Sequence, residues 1–137
     1  MALQNYSNSL FVVVINGRTI KDWGETATPY NDQQIDPKSQ LRRGQGGKGI
    51  RLDRINPGRT QTLTLNPGSP ESVFLQGLFN AGTNITCAVT QIGTLEAFAG
   101  AEGVITSDGS VGRGGTTITD DVYTIDYNVW TALKGGA

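Results

Sequence analysis

The residues best suited to acid–base chemistry are the carboxylates Glu96, Glu102, Asp108, Asp120, Asp121 and Asp126. Two of them held side by side would make the acid/base pair that glycoside hydrolysis uses. Their spacing singles out no such pair, and Asp120-Asp121 reads as the start of a strand. Histidine is absent, which removes the commonest general base and the commonest transition-metal ligand. Cys87 is the lone cysteine. It cannot form an intrachain disulfide, a structural zinc site has too few ligands, and a Ser or Cys nucleophile would lack its usual imidazole. The sequence therefore points to no catalysis, cofactor or metal.

Phosphate chemistry is the next possibility. Gly47-Lys48 resembles the end of a phosphate-binding loop, but Arg42 stands where the first glycine belongs and Gly49 replaces the hydroxyl residue after the lysine. Around it lies the densest charge in the chain. Seven of the 11 Lys/Arg fall between residues 38 and 59 (Lys38, Arg42, Arg43, Lys48, Arg51, Arg54 and Arg59), offset only by Asp53. Such a stretch could bind phosphates without sequence preference. It contains no aromatic residue on which a base could stack. The alternative reading is an arm that docks on the acidic part of a neighbouring subunit, setting register through charge-assisted bonds.

These residues must be positioned by strands. Gly is in excess, 19 of 137 residues, which favours strands and turns over helices. Leu10–Ile15, Asn16-Gly17 and Arg18–Trp23 spell a hairpin with a type I′ turn. Residues 24–37 read as a connection with a short edge strand near Gln33–Ile35. The basic stretch reads as a long hairpin or extended arm, at about residues 38–54, with a Gly-rich tip. Two Asn-Pro-Gly turns, at 56–58 and 66–68, bracket a strand with Leu63 and Leu65 on one face and Thr60, Thr62 and Thr64 on the other. Ser69-Pro70-Glu71 starts the only helix, which should end by Asn80-Ala81-Gly82, with Val73, Phe74, Leu75, Leu78 and Phe79 as its core stripe. Strands resume at Asn84–Gln91, where Cys87 faces inward, and at Thr94–Ile105. A Gly/Ser/Thr loop over Thr106–Thr117 leads to a last strand, Asp121–Thr131, with Tyr123, Ile125, Tyr127 and Val129 on one face. The expected fold is mainly β: an antiparallel sandwich or barrel of about eight strands with one short helix packed on it.

A chain of 137 residues fits one domain, spanning 1–137, without staples. It opens Met-Ala-Leu-Gln-Asn-Tyr, which does not read as a signal peptide, and no apolar run suits a membrane helix. A soluble, intracellularly made protein is expected, so the Asn5-Tyr6-Ser7 and Asn84-Ile85-Thr86 glycosylation patterns carry no weight. The net charge of −1 hides an uneven division. Residues 1–70 carry nine Lys/Arg against five Asp/Glu, and residues 71–137 two against seven. A chain with one basic and one acidic half can attract its own copies head to tail.

The order of these features resembles a known family. Val-Val-Val-Ile-Asn-Gly-Arg-Thr-Ile followed by Trp23-Gly24-Glu25, a Gly-rich basic arm, Thr60–Leu65 leading through Asn-Pro-Gly into Ser69-Pro70-Glu71 and a short helix, and a closing Tyr-Thr-Ile-Asp-Tyr strand are similar to the tail tube proteins of tailed bacteriophages, particularly contractile ones. The likeness spans nearly the whole chain. It implies hexameric rings, with inner sheets joined into a barrel around a lumen that passes double-stranded DNA without binding it specifically. It further implies that rings stack into a tube, a fold shared with the type VI secretion tube, in contact with tail sheath, baseplate and tail terminator proteins. The Leu41–Leu52 segment matches the stacking arm, making Lys38, Arg42, Arg43, Lys48, Arg51 and Arg54 inter-ring contacts. The helix at Pro70–Asn80 matches that on the outer side of the sheet. Glu96, Glu102, Asp108, Asp120 and Asp121 are candidates for the acidic counterpart or the lumen surface. The implied location is the virion tail, after synthesis in the host cytoplasm, with no membrane partner.

Two rival classes remain: a nucleic-acid-binding β-barrel of the OB type using the 38–59 arm, and a carbohydrate-binding sandwich or carboxylate-dependent glycosidase. The first needs exposed aromatics on the barrel face, whereas the spacing of Tyr123 and Tyr127 suggests core.

Overall fold

The computed structural model describes residues 10–134; the opening hexapeptide and the Asn5-Tyr6-Ser7 pattern lie outside them. Within this range the chain runs β1 (Phe11–Ile15), β2 (Arg18–Ile20), β3 (Tyr30–Gln34), β4 (Ser39–Arg43), β5 (Gly49–Asp53), β6 (Arg59–Leu65), α1 (Pro70–Ala81), β7 (Ile85–Gln91), β8 (Glu96–Ser107) and β9 (Asp121–Lys134). Seven strands form one antiparallel sheet in the order β2-β1-β7-β8-β9-β6-β3, while β4 and β5 form a separate two-stranded sheet. The large sheet curls into a half-barrel, and the chain after β2 crosses its open side. Trp23 bridges to Leu65, Gly24 N donates to Thr64 O at 2.9 Å, and Asn66 N donates to Asp22 O at 3.0 Å. The mainly β architecture with one helix is as expected; the second sheet does not make a sandwich, because it carries no buried face.

Local chemistry explains the elements. Asn16 and Gly17 take φ of 48° and 86°, as the I′ turn between β1 and β2 requires. The expected edge strand after it is β3, somewhat longer and earlier than read from sequence. On β6, Gln61, Leu63 and Leu65 are buried while the threonines between them face outward. Ser69 caps α1 by accepting from Ser72 N at 3.2 Å, Pro70 opens it, and Gly82 closes it in the left-handed conformation.

The core fills the concave side with Val13, Ile15, Leu63, Leu65, Ile85, Val89, Ile125 and Tyr127, and α1 contributes Leu75. Phe74, Leu78 and Phe79 pack partly against this cluster. Val73, expected in the helix core, is 67% exposed, because the helix lays a narrower stripe on the sheet than its five apolar residues suggested. Cys87 is buried, as its alternation implied. The last strand departs from the expected alternation beyond Tyr127: Trp130, not Val129, packs against the core. The cause lies on β8, where Glu102 has φ +54° and glycines stand at 100 and 103. A Cβ at Gly103 would sit 2.5 Å from the Tyr127 ring, and one at Gly100 2.8 Å from Trp130. The missing side chains are the space those rings occupy.

Candidate functional site

Three regions could carry function: the β4–β5 hairpin, a groove beside α1, and the outward face of the sheet.

The hairpin continues the β3–β6 ladder. Past Gln34–Arg59, Ile35 N donates to Gly58 O at 3.3 Å, Asp36 N to Pro57 O at 3.0 Å, and Arg54 N to Lys38 O at 2.7 Å. The tip closes with Gly44 N donating to Lys48 O at 2.9 Å. Every residue of both arm strands is exposed. Leu41, Ile50 and Leu52 are half or more exposed, and Ile55 at the base is 95% exposed. Arg51 pairs with Asp53 at 2.8 Å within the arm, and Arg54 reaches Asp36 at 3.7 Å at its base. Both pairs are open to solvent and worth little. Among the described ion pairs, Lys38, Arg42, Arg43 and Lys48 take no part. The structure thus brings the six basic arm residues onto one projecting hairpin that touches little of its own subunit.

The acidic residues do not converge. Asp121, at the start of β9, accepts from Ser72 Oγ and pairs with Arg113 at 3.0 Å. Asp120 accepts from Glu25 N at 2.9 Å beside Gly24. Asp108 receives Gln76 Nε2 at 3.4 Å from α1. Glu102 accepts from Asn128 Nδ2 at 2.8 Å on the β8–β9 ladder, and Glu96 stands at the far end of that ladder opposite Lys134. Asp120 and Asp121 are occupied locally, and the five candidates for the acidic counterpart or the lumen surface are distributed along the sheet rather than gathered at one point.

Beside α1 lies an open groove of about 520 Å³, lined by Gly68, Ser72, Val73, Gln76, Gly77, Asn80, Asp108, Val111, Arg113, Asp121 and Tyr123. Its 108–120 wall is an ordered loop: Gly112 N donates to Thr119 Oγ1 at 2.9 Å, and Arg113 Nη1 donates to Gly112 O and Thr119 O at 2.9 and 3.1 Å. Tyr123 OH donates to Ser72 O at 3.1 Å, and burial raises its pKa.

The outward face of the sheet carries few charges, the carboxylates Glu102 and Asp126 lying near one another on it. Thr60, Thr62 and Thr64 of β6 stand against Asp126, Thr124 and Val122 of β9, and Asp126 accepts from Thr60 Oγ1 at 2.8 Å. Across the sheet, Val14, Ala88 and Ala99 align, as do Val12, Thr90 and Ala97. β6 pairs with β9 only over Asp121–Tyr127. Asn128–Lys134 therefore extend the sheet with no strand on that side among the described residues.

Sequence reasoning missed a buried polar chain inside the half-barrel. Tyr127 OH donates to Gln61 Oε1 at 2.9 Å, Gln61 Nε2 to Tyr30 OH at 3.0 Å, and Tyr30 OH to Asp32 Oδ2 at 2.8 Å. Asp32 is gripped by Arg59, whose guanidinium lies 5.9 Å from the Trp130 ring centre. Burial pushes both tyrosine hydroxyls and the Cys87 thiol to higher pKa. The signal was available: Gln61 shares the inward alternation of Leu63 and Leu65. All these groups are satisfied by one another, as buried polar atoms must be, and no reacting atom is exposed. Among the described residues no three His, Cys, Asp or Glu cluster as metal ligands, and no helix is long and apolar enough to cross a membrane.

No protein-family model and no curated protein sequence matches the chain. Solved structures do. A chain of the sheath/tube terminator of PVC, an extracellular contractile injection system, in its extended state, superposes with a TM-score of 0.62 at 16% identity, covering 97% of this chain and 99% of its own. A chain of the PVC sheath-tube complex gives 0.60 at 18% identity, covering 95% and 92%. A chain of the anti-feeding prophage tube-terminating cap gives 0.57 at 16% identity, covering 98% and 95%. At such identities the likeness establishes one thing: this chain has, over nearly its full length, a fold found in contractile injection systems.

Proposed function

We propose that this chain is a structural, non-catalytic subunit of a contractile-type tail tube, acting as one domain. Six copies close into a ring, rings stack head to tail through the basic β4–β5 arm, and the hollow stack is a conduit for DNA. Sheath, baseplate and terminator proteins are its neighbours in the virion tail. The observation that carries this reading is the arm: ten strand residues, all exposed, hold basic and apolar side chains that the other described residues leave half or more open to solvent. An exposed hairpin of this kind is an interaction element. The Asn128–Lys134 edge of β9 on the side away from β8, which no strand covers among the described residues, offers the lateral joint, since an open strand edge is a template for another strand.

The lumen wall in this reading is the outward sheet face. Its Thr, Ala and Val side chains carry no cation to hold a polyanion, and its one carboxylate on the β6–β9 ladder, Asp126, is tied to Thr60. Passage without adhesion then comes from the absence of basic groups on this face, with the exposed Glu102 beside Asp126 adding negative charge.

The likeness to terminator and cap chains favours a second reading, a subunit that forms a single ring closing a tube. Sedimentation velocity over a concentration series separates the two. A stacking subunit gives species that grow without limit, and replacing Arg42, Arg43, Lys48 and Arg51 by Ser suppresses growth while leaving rings, with the difference from the native chain greatest in low salt, where its charges are least screened. A terminator stops at one ring. A monomer that binds DNA in a salt-dependent way would point instead to the nucleic-acid-binding barrel. That barrel is disfavoured because Tyr123 and Tyr127 are buried, at 3% and 1% exposure.

A further inference from the structure

Resting on the stacking reading, we propose that the groove between α1 and the 108–113 segment is the seat for the arm tip of a second copy. The two features stand at opposite ends of one strand. β6 meets the arm at Arg59 and runs to Leu65, which leads through the 66–69 turn directly into α1. Leu65 pairs with Asp121, a residue of the groove wall. Copies arranged head to tail along this axis bring the tip of one toward the groove of the next, a heterologous contact that repeats without closing.

Shape and chemistry agree. The tip is slim, with glycines at 44, 46, 47 and 49, and the groove of about 520 Å³ is open, with Gly68 and Gly77 leaving its helix side low. Arg42, Arg43 and Lys48 flank the tip. In the groove, Arg113 is engaged by Asp121, which leaves Asp108 as the carboxylate whose described contact is one 3.4 Å bond from neutral Gln76. Gln76, Gly77 and Asn80 belong to the C-terminal half of α1, whose last turn carries no basic residue, so its negative dipole end favours an incoming cation. The rim holds Val73 and Val111, 67% and 66% exposed, opposite Leu41 and Ile50 of an arriving arm, 69% and 50% exposed.

The test is disulfide trapping in assembled protein. The double variant Gln45→Cys/Val73→Cys is expected to give a ladder of covalent oligomers on oxidation. Each single variant, and a Gln45→Cys/Thr62→Cys control on the outward sheet face, should not; native Cys87 is buried and stays out of reach. In parallel, Asp108→Arg should raise the concentration needed for stacking about tenfold, and adding Arg42→Asp and Arg43→Asp to the same chain should restore it. Asp108→Asn should act in the same direction, and unchanged melting would show that the fold is intact. Normal stacking of Asp108→Arg, or a ladder from the control pair only, overturns the groove assignment while arm-dependent stacking stands. Stacking that is indifferent to arm variants, or absent in the native chain, overturns the parent reading with it.

Discussion

Excising the arm should cost the subunit almost nothing. Lys38 and Arg54 already close a backbone hydrogen bond at 2.7 Å, so Ser39–Asp53 can be replaced by an Asn-Gly turn without moving either end. What is lost is internal to the arm: the β4–β5 ladder, the Arg51–Asp53 pair and the Ser39–Asp53 hydrogen bond, all exposed. None of the core residues lies between Ser39 and Asp53. What is gained is a shorter connection; closing a two-residue rather than a fifteen-residue loop is worth roughly 2 kcal/mol by the logarithmic rule, an upper figure because short loops are stiff. The net expectation is a stability within about 1 kcal/mol of the native chain, or slightly above it. Urea unfolding followed by tryptophan fluorescence measures this, since Trp23 and Trp130 both pack against the core. The same protein should fail to stack. A loss of more than about 2 kcal/mol, or a collapsed state without cooperative unfolding, would refute the view that the arm is built for a partner and not for the fold.

Four further outcomes follow. Tyr127→Phe removes the donor to Gln61 Oε1 and should cost about 1–3 kcal/mol in urea unfolding, because a fully buried acceptor is left unmet. Gly103→Ala places a methyl 2.5 Å from the Tyr127 ring and should cost about 1–3 kcal/mol or more by overpacking, read as a lowered melting midpoint. Leu75→Ala should destabilise by about 2–5 kcal/mol, while Val73→Ser changes stability by less than about 0.5. Alkaline pH should also weaken the fold. Burial, aided at Tyr30 by the Asp32 charge, raises the hydroxyl pKa of Tyr30 and Tyr127. The unfolded chain therefore loses these two protons above about pH 10 while the folded chain keeps them. The part of the stability that these two groups carry is complete below that pH and falls by roughly 2.7 kcal/mol per unit above it. An earlier loss begins at about pH 8.5, because the buried Cys87 thiol ionises only in the unfolded chain. Tyr127→Phe should lower the slope above about pH 10 by about 1.4 kcal/mol per unit.

Much of the fold was legible because local chemistry and global packing agree. The Asn16-Gly17 turn, the Leu63/Leu65 alternation and the Ser69-Pro70 helix start each follow from one or two residues whose conformation has few alternatives. What failed depended on contacts distant in sequence. Val73 looked like core because helical spacing counts apolar residues but not the width of the surface that receives them. Trp130 replaced Val129 because glycines some 27 to 30 positions away on β8 opened a space, which no periodicity within β9 reveals. The arm was readable as a hairpin, but its place at the opposite end of β6 from α1 emerged only from the register. The acidic excess of residues 71–137 is a property of the sequence that says nothing of where its members stand. In the fold Asp120 and Asp121 fasten the 22–25 segment, α1 and the 108–120 loop to the sheet.

The central claim is self-assembly into a hollow stack, and electron microscopy of the purified chain over a concentration series tests it most directly. The account expects rings with a central pore that lengthen into tubes as concentration rises, and rings alone when the arm is excised. Compact single subunits at every concentration, for the native chain as for the excised one, would contradict it.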